Sequence, residues 1–161
     1  MSPKPPKRRR RGVVDTSVVV AGVAGFKAAV IPTNESAKLI RDWIENESFV
    51  WLVTADIISE YKAVLGRLHV RPALIGTIVN LLREEAELVK SAGLIEAEPD
   101  PGDTPFWECA EHGRADFIVT LNPKDFPQTR LTAKVIIAGD TLPSGGPRRR
   151  ARGSRRKRTW S

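Results

Sequence analysis

Apolar residues along this chain fall into two styles. Short continuous runs, GVVDTSVVV (12–20), FVWLV (49–53), DFIVT (116–120) and KVIIA (134–138), read as buried strands, with LIEAEP (94–99) as a shorter one. Between them lie segments of helical period. One starts at Thr33 or Asn34 and carries Leu39, Ile40, Trp43 and Ile44 at helical spacing. Thr54 caps the next, which ends near Gly66, and Pro72 opens a long one over 72–89. In the fourth, Asp103 is the N-cap, Pro105 lies in the first turn and Gly113 is the stop. Strands that alternate with helices predict an α/β fold with a mainly parallel sheet covered on both faces. In such sheets the useful crevice lies outside the carboxyl ends of the strands.

Length and charge refine this picture. The 161 residues suffice for one domain with a real core. The net charge of +7 conceals a division: residues 1–11 hold six Lys/Arg and residues 147–161 hold eight, with no acid in either segment. The remaining twelve basic residues face all 19 acids, so the centre is acidic. The expected organisation is a basic tail over 1–11, a folded domain over 12–141 and a second basic tail over 142–161. Tails of that composition bury too little apolar surface to fold and are expected to be disordered. No run approaches the roughly 20 apolar residues of a membrane span. A single cysteine, Cys109, excludes an intrachain disulfide framework and suits a reducing compartment. A soluble, cytoplasmic protein is expected.

Candidate chemistry is carried by carboxylates. Asp15 interrupts an apolar run and is followed by Thr16 and Ser17; it either caps a turn at the strand end or binds a metal. On the helix that Thr54 caps, Glu60 falls at the margin of the apolar arc, about 60° from Ile57 at 100° per residue. Asp103 extrapolates to the buried side of its helix, whereas Glu108 and Glu111 are expected to point to solvent. Thr120, Asn122 and Asp125 follow the DFIVT strand, where plain turn chemistry also accounts for them. Asp116 belongs at the opposite end of the sheet. A parallel sheet brings distant acids to one edge, and like charges that close need a counterion. All-oxygen pockets of this kind suit Mg²⁺ or Mn²⁺.

The ordered set VVDTSVVVAG, TADIISEYKAVLGR, DPGDTPFWECAEHGRADFIVTLNPKDF and KVIIAG resembles the PIN-domain ribonucleases, above all the VapC-type toxins of bacterial toxin–antitoxin pairs. The likeness covers roughly residues 12–140. It implies a three-layer α/β/α sandwich and a metal-dependent ribonuclease that hydrolyses RNA phosphodiester bonds. By position it implies Asp15, Glu60, Asp103 and Asp125 as catalytic acids, with Asp15, Asp103 and Asp125 on the metal. Thr16, Ser17, Thr120 and Asn122 match supporting polar positions. Relatives often carry Asp where this chain has Asn122; toxin-like members carry Asn there and an acid three residues on, the pattern of Asp125. The resemblance also implies a homodimer and a cognate antitoxin.

Other enzyme classes lack their residues. His69 and His112 are the only histidines and make no zinc set with one cysteine, and no GxxxxGK or GxGxxG loop is present. The competing reading is a PIN-like module that binds RNA or protein without cutting. Arg8, Arg9, Arg10, Arg11, Arg148, Arg149, Arg150, Arg155 and Arg156 are expected to bind nucleic acid through its phosphates, though KRRRR and RRKR also fit nuclear-import signals.

Overall fold

Strand β1 (Arg11–Val14) is only four residues long and runs directly into helix α1 (Thr16–Lys27). Then follow α2 (Glu35–Asn46), β2 (Val50–Val53), α3 (Ala55–Arg67), α4 (Pro72–Glu85) and β3 (Glu87–Leu88). Helix α5 (Thr104–His112), β4 (Phe117–Val119) and β5 (Lys134–Ile136) complete the order, with single 3-10 turns at Pro123–Asp125 and Gln128–Arg130. The structure is a computed structural model and describes residues 9–27, 34–90 and 104–143. All four strand pairings are parallel, in the order β3-β2-β1-β4-β5. Helices cover both faces, which makes the expected three-layer α/β/α fold. Burial follows: Val13, Val14, Trp51, Leu52, Val53 and Phe117 to Val119 are all buried, with no polar alternation.

The caps explain several boundaries. Asn34 accepts a bond from the Ala37 amide at 2.8 Å and Thr54 from the Ile57 amide at 3.1 Å, each satisfying an orphan donor of its helix. The largest departure from the expected pattern is residues 16–20, which belong to α1 rather than to a strand. A run of valines is apolar at every period, so periodicity cannot separate buried strand from buried helix. What decides it is packing. Gly25 sits so close to α2 that a Cβ there would lie 2.7 Å from Asn34 Nδ2, and Gly22 is similarly crowded by Ile40. Small residues on one face let α1 lie directly on α2.

Three smaller corrections concern ends and side chains. Helix α4, expected over 72–89, stops at Glu85, and Glu87–Leu88, expected as its last turn, instead pair with Leu52 and Val53 as β3. Two residues carry no period to read. The strand expected over 94–99 lies outside the described residues. Arg11 opens β1 instead of closing a tail: its Nε donates to Gly113 O and its guanidinium forks onto Glu87 at 3.0 and 2.8 Å. Arg9 bonds Glu47 and Arg10 bonds Pro143 O. Glu111 does not point free into solvent; it accepts from the amide and hydroxyl of Thr132 at 3.1 and 3.2 Å.

The outer edge of β5 is closed by side chains. The amide of Val135 donates to Gln128 Oε1 at 2.7 Å, and that of Ile137 to Asp140 Oδ2 at 3.0 Å. Gln128 Nε2 in turn donates to Ala133 O at 2.8 Å. An amide side chain thus occupies the place of a neighbouring strand and blunts the edge. Among the described residues no helix is long and apolar enough to cross a membrane.

Candidate active site

The strand order reverses at β1: β2 and β3 extend to one side, β4 and β5 to the other. Chains leaving the carboxyl ends of β1 and β4 therefore diverge, and a crevice opens between them. Asp15 is the first residue past β1, and Thr120 the first past β4. The Asp15 amide donates to Val119 O at 2.9 Å, which fixes the carboxylate in register with the end of β4. Its carbonyl accepts from Val18 and Val19 at 3.0 and 3.4 Å, so the same residue starts α1. Asp15 is both the end of a strand and the N-cap position of a helix, which answers why an acid interrupts this run.

Asp15 is only 8 % exposed, and its carboxylate is held by two hydroxyls. Ser17 Oγ and Thr120 Oγ1 donate to Asp15 Oδ2 at 2.7 and 2.8 Å. Both hydroxyls also accept backbone amides, Leu121 N on Ser17 at 3.1 Å and Asn122 N on Thr120 at 2.9 Å. Each hydroxyl proton is thereby directed at the carboxylate, because the amide occupies its lone pair. Oδ1 receives no hydrogen bond from the described residues. One oxygen is anchored and the other is presented.

Glu60 joins from α3. Thr16 Oγ1 donates to Glu60 Oε2 at 2.9 Å, so adjacent residues of the β1–α1 junction hold the two carboxylates. The next residue, Tyr61, is fully buried; it donates to Val14 O at 2.5 Å and accepts from Trp51 Nε1 at 3.3 Å. Burial pushes the Tyr61 phenol well above its ordinary pKa, and the negative charges of Asp15 and Glu60 push the same way. It is a neutral strut between α3 and the strand that ends at Asp15. Sequence reading missed this role, since a tyrosine on an apolar arc looks like ordinary core; its heavy burial beside Glu60 is the signal.

The other expected residues are placed differently. Asn122 enters through its backbone amide, with its side chain in the exposed turn. Asp125 ends the 3-10 turn Pro123–Asp125, is exposed, and makes no hydrogen bond to Asp15, Glu60 or their hydroxyl partners. Asp116 lies at the opposite end of the sheet, where its Oδ2 accepts from the Arg11 amide at 2.8 Å. Asp103, Arg8, Arg148, Arg149, Arg150, Arg155 and Arg156 lie outside the described residues.

The donor set is made of carboxylates and hydroxyls, oxygen chemistry that fits a hard divalent cation and not a soft one. Among the described residues no three His, Cys, Asp or Glu side chains form a group that holds a metal. Asp15 and Glu60 are the two carboxylates that the described residues bring to this corner.

Asp15 and Glu60 thus stand at the carboxyl end of the sheet where the strand order of a parallel α/β domain reverses. A family model of the PIN domain matches residues 11–124, and the chain belongs to the PIN domain family. The matched span contains Asp15, Glu60, Asp103, Thr120 and Asn122, and ends one residue before Asp125. No curated protein matches the chain.

Proposed function

We propose that the protein is a metal-dependent endoribonuclease that hydrolyses RNA phosphodiester bonds. The observation that supports it best is Asp15, anchored through Oδ2 at the switch point with Oδ1 presented, and with Glu60 tied to the neighbouring Thr16. Asp15 and Asp103 are the residues that would hold Mg²⁺ or Mn²⁺, with Asp125 as a further acid. Such a cation, when bound, supplies positive charge for the phosphoryl oxygens and acidifies water. The chain's own residues do the rest. Ser17 and Thr120 fix which Asp15 oxygen is left free of their bonds, and Glu60, oriented by Thr16, would take a proton from attacking water.

The family resemblance further suggests the toxin half of a toxin–antitoxin pair, cytoplasmic, homodimeric and restrained by a cognate antitoxin. The basic segments, including Arg148 to Arg150 and Arg155 to Arg156, are taken to add phosphate affinity without base choice. A catalytically weak RNA- or protein-binding module is the second reading, favoured by the lack of a three-carboxylate group among the described residues.

One experiment separates the two. Cleavage of labelled RNA by the full chain is measured with Mg²⁺, with Mn²⁺ and with chelator, beside Asp15→Asn. A nuclease loses cleavage in the variant and in chelator while still binding RNA. Cleavage that survives Asp15→Asn overturns the assignment, and binding with no cleavage under any condition establishes the second reading.

A further inference from the structure

Helices α2 and α4 leave an apolar groove over β2, with a cavity volume of about 370 Å³. Trp43, Ile44, Trp51, Leu74, Ile78 and Leu81 form its walls, and the Trp43 and Trp51 rings meet edge-on at 4.7 Å. Trp43, Ile44 and Leu81 also line an adjoining recess of about 360 Å³, whose rim is polar: Arg9, Glu47 and Glu85. Ile44 stands 49 % exposed between the two.

The recess is electrostatically one-sided. Glu47 is the left-handed C-cap of α2, and Glu85 is the last residue of α4. Two helix carboxyl ends, each with partial negative charge, meet there with two carboxylates. One cation already sits on this rim, Arg9 on Glu47 at 3.2 Å. Such a surface repels phosphate backbones. It fits an occupant with an apolar tip and a densely cationic stem.

The chain carries such a segment. Residues 144–161 hold eight Lys/Arg, no acid, and one aromatic residue, Trp160. Arg10, the neighbour of Arg9 in the chain, donates from Nε to Pro143 O at 2.8 Å, so the last described residue is held one residue along from the rim. Trp160 lies seventeen residues beyond Pro143, a reach of up to about 56 Å, whereas α4 is only about 21 Å long. Tethering raises the local concentration to about millimolar, so modest contacts suffice.

We propose that this groove is the docking site of the chain's own segment 144–161. Trp160 fills the apolar half, and Arg155, Arg156, Lys157 and Arg158 lie over Glu47 and Glu85. Arg71, at the opposite end of the groove, sets the direction: it opposes the cationic stem but favours an indole face. The inference goes beyond the nuclease reading and does not depend on it.

The test places p-benzoylphenylalanine at position 160 of the full chain and irradiates it dilute, at low salt, without RNA. Cross-links within one chain to residues 40–44 and 74–82 are expected. Combined Glu47→Lys and Glu85→Lys should reduce them about tenfold, the effect of losing and reversing two modest ion pairs. Cross-links between two chains, cross-links to other surfaces, no cross-links, or yields unchanged by the charge reversal would each overturn the proposal.

Discussion

The hydroxyl of Thr120 donates to Asp15 Oδ2 at 2.8 Å, joining two residues 105 positions apart at the ends of neighbouring parallel strands. Thr120 is completely buried and also accepts the Asn122 amide, so it serves the carboxylate and the turn at once. Thr120→Val keeps the shape and removes both bonds. Stability should fall by about 1.5–3 kcal/mol, the range for a hydrogen bond to a charged group. RNA cleavage should fall as well, in kcat more than in KM, because Asp15 loses its fixed rotamer. Urea unfolding and steady-state kinetics check both, and Ser17→Ala, in the more open position, should cost less.

Tyr61 supports the same corner without facing the crevice. Tyr61→Phe strands Val14 O and Trp51 Nε1 inside the core, and should cost about 2 kcal/mol while leaving cleavage largely intact. The sign of its pH dependence is definite. The folded phenol titrates well above the ordinary value, so unfolding releases a proton once pH exceeds about 10, the unfolded value. Its stabilisation is present below that pH and declines above it. The stability advantage over Tyr61→Phe should therefore shrink in alkali, as measured by urea unfolding at pH 8, 10 and 11.

How far residues reveal their partners depends on whether the signal is local. Asn34 and Thr54 were legible as caps because a cap acts within three residues. Glu60 was legible only as a boundary carboxylate at the margin of an apolar arc; its partner Thr16 lies 44 residues away and left no local mark. The valines after Asp15 were not legible: they suit strand and helix equally, and the contact of Gly22 and Gly25 with α2 decides between them. Arg11 was misplaced in a tail for a similar reason. Its partners Glu87 and Gly113 lie 76 and 102 residues away, and nothing local distinguishes it from Arg10.

Asp125 and Asn122 make opposing predictions about charge. Asp125 is exposed, beyond the matched span of the family, and unbonded to the Asp15 cluster, whereas the Asn122 amide is directly tied to it. Asn122→Asp should tighten Mn²⁺ binding, while Asp125→Asn should weaken it by about tenfold at most, since an exposed carboxylate is well screened. Calorimetric titration of both variants measures this. A loss of binding in Asp125→Asn as complete as in Asp15→Asn would move Asp125 into the centre of the site.

At the other end of the sheet, Arg11 forks onto Glu87 across the amino end of β2, at 3.0 and 2.8 Å. The hydrogen bond from Arg11 is the main reason the Glu87 carboxyl lies below its ordinary pKa; burial works the other way, and the Arg11 charge adds to the lowering. Its side chain is 48 % exposed, so solvent screens the pair and its stability contribution stays within the surface range of up to about 1 kcal/mol. A depressed carboxyl stabilises the fold only while ionised. The contribution is present above roughly pH 4.3, the unfolded value, and is lost as pH falls through the folded one. Glu87→Gln should therefore lose a little stability at pH 7 and converge with the parent protein in acid. Urea unfolding at pH 7, 5 and 3.5 tests this, and a gap of constant size at all three would mean that the pair acts through shape and not through charge.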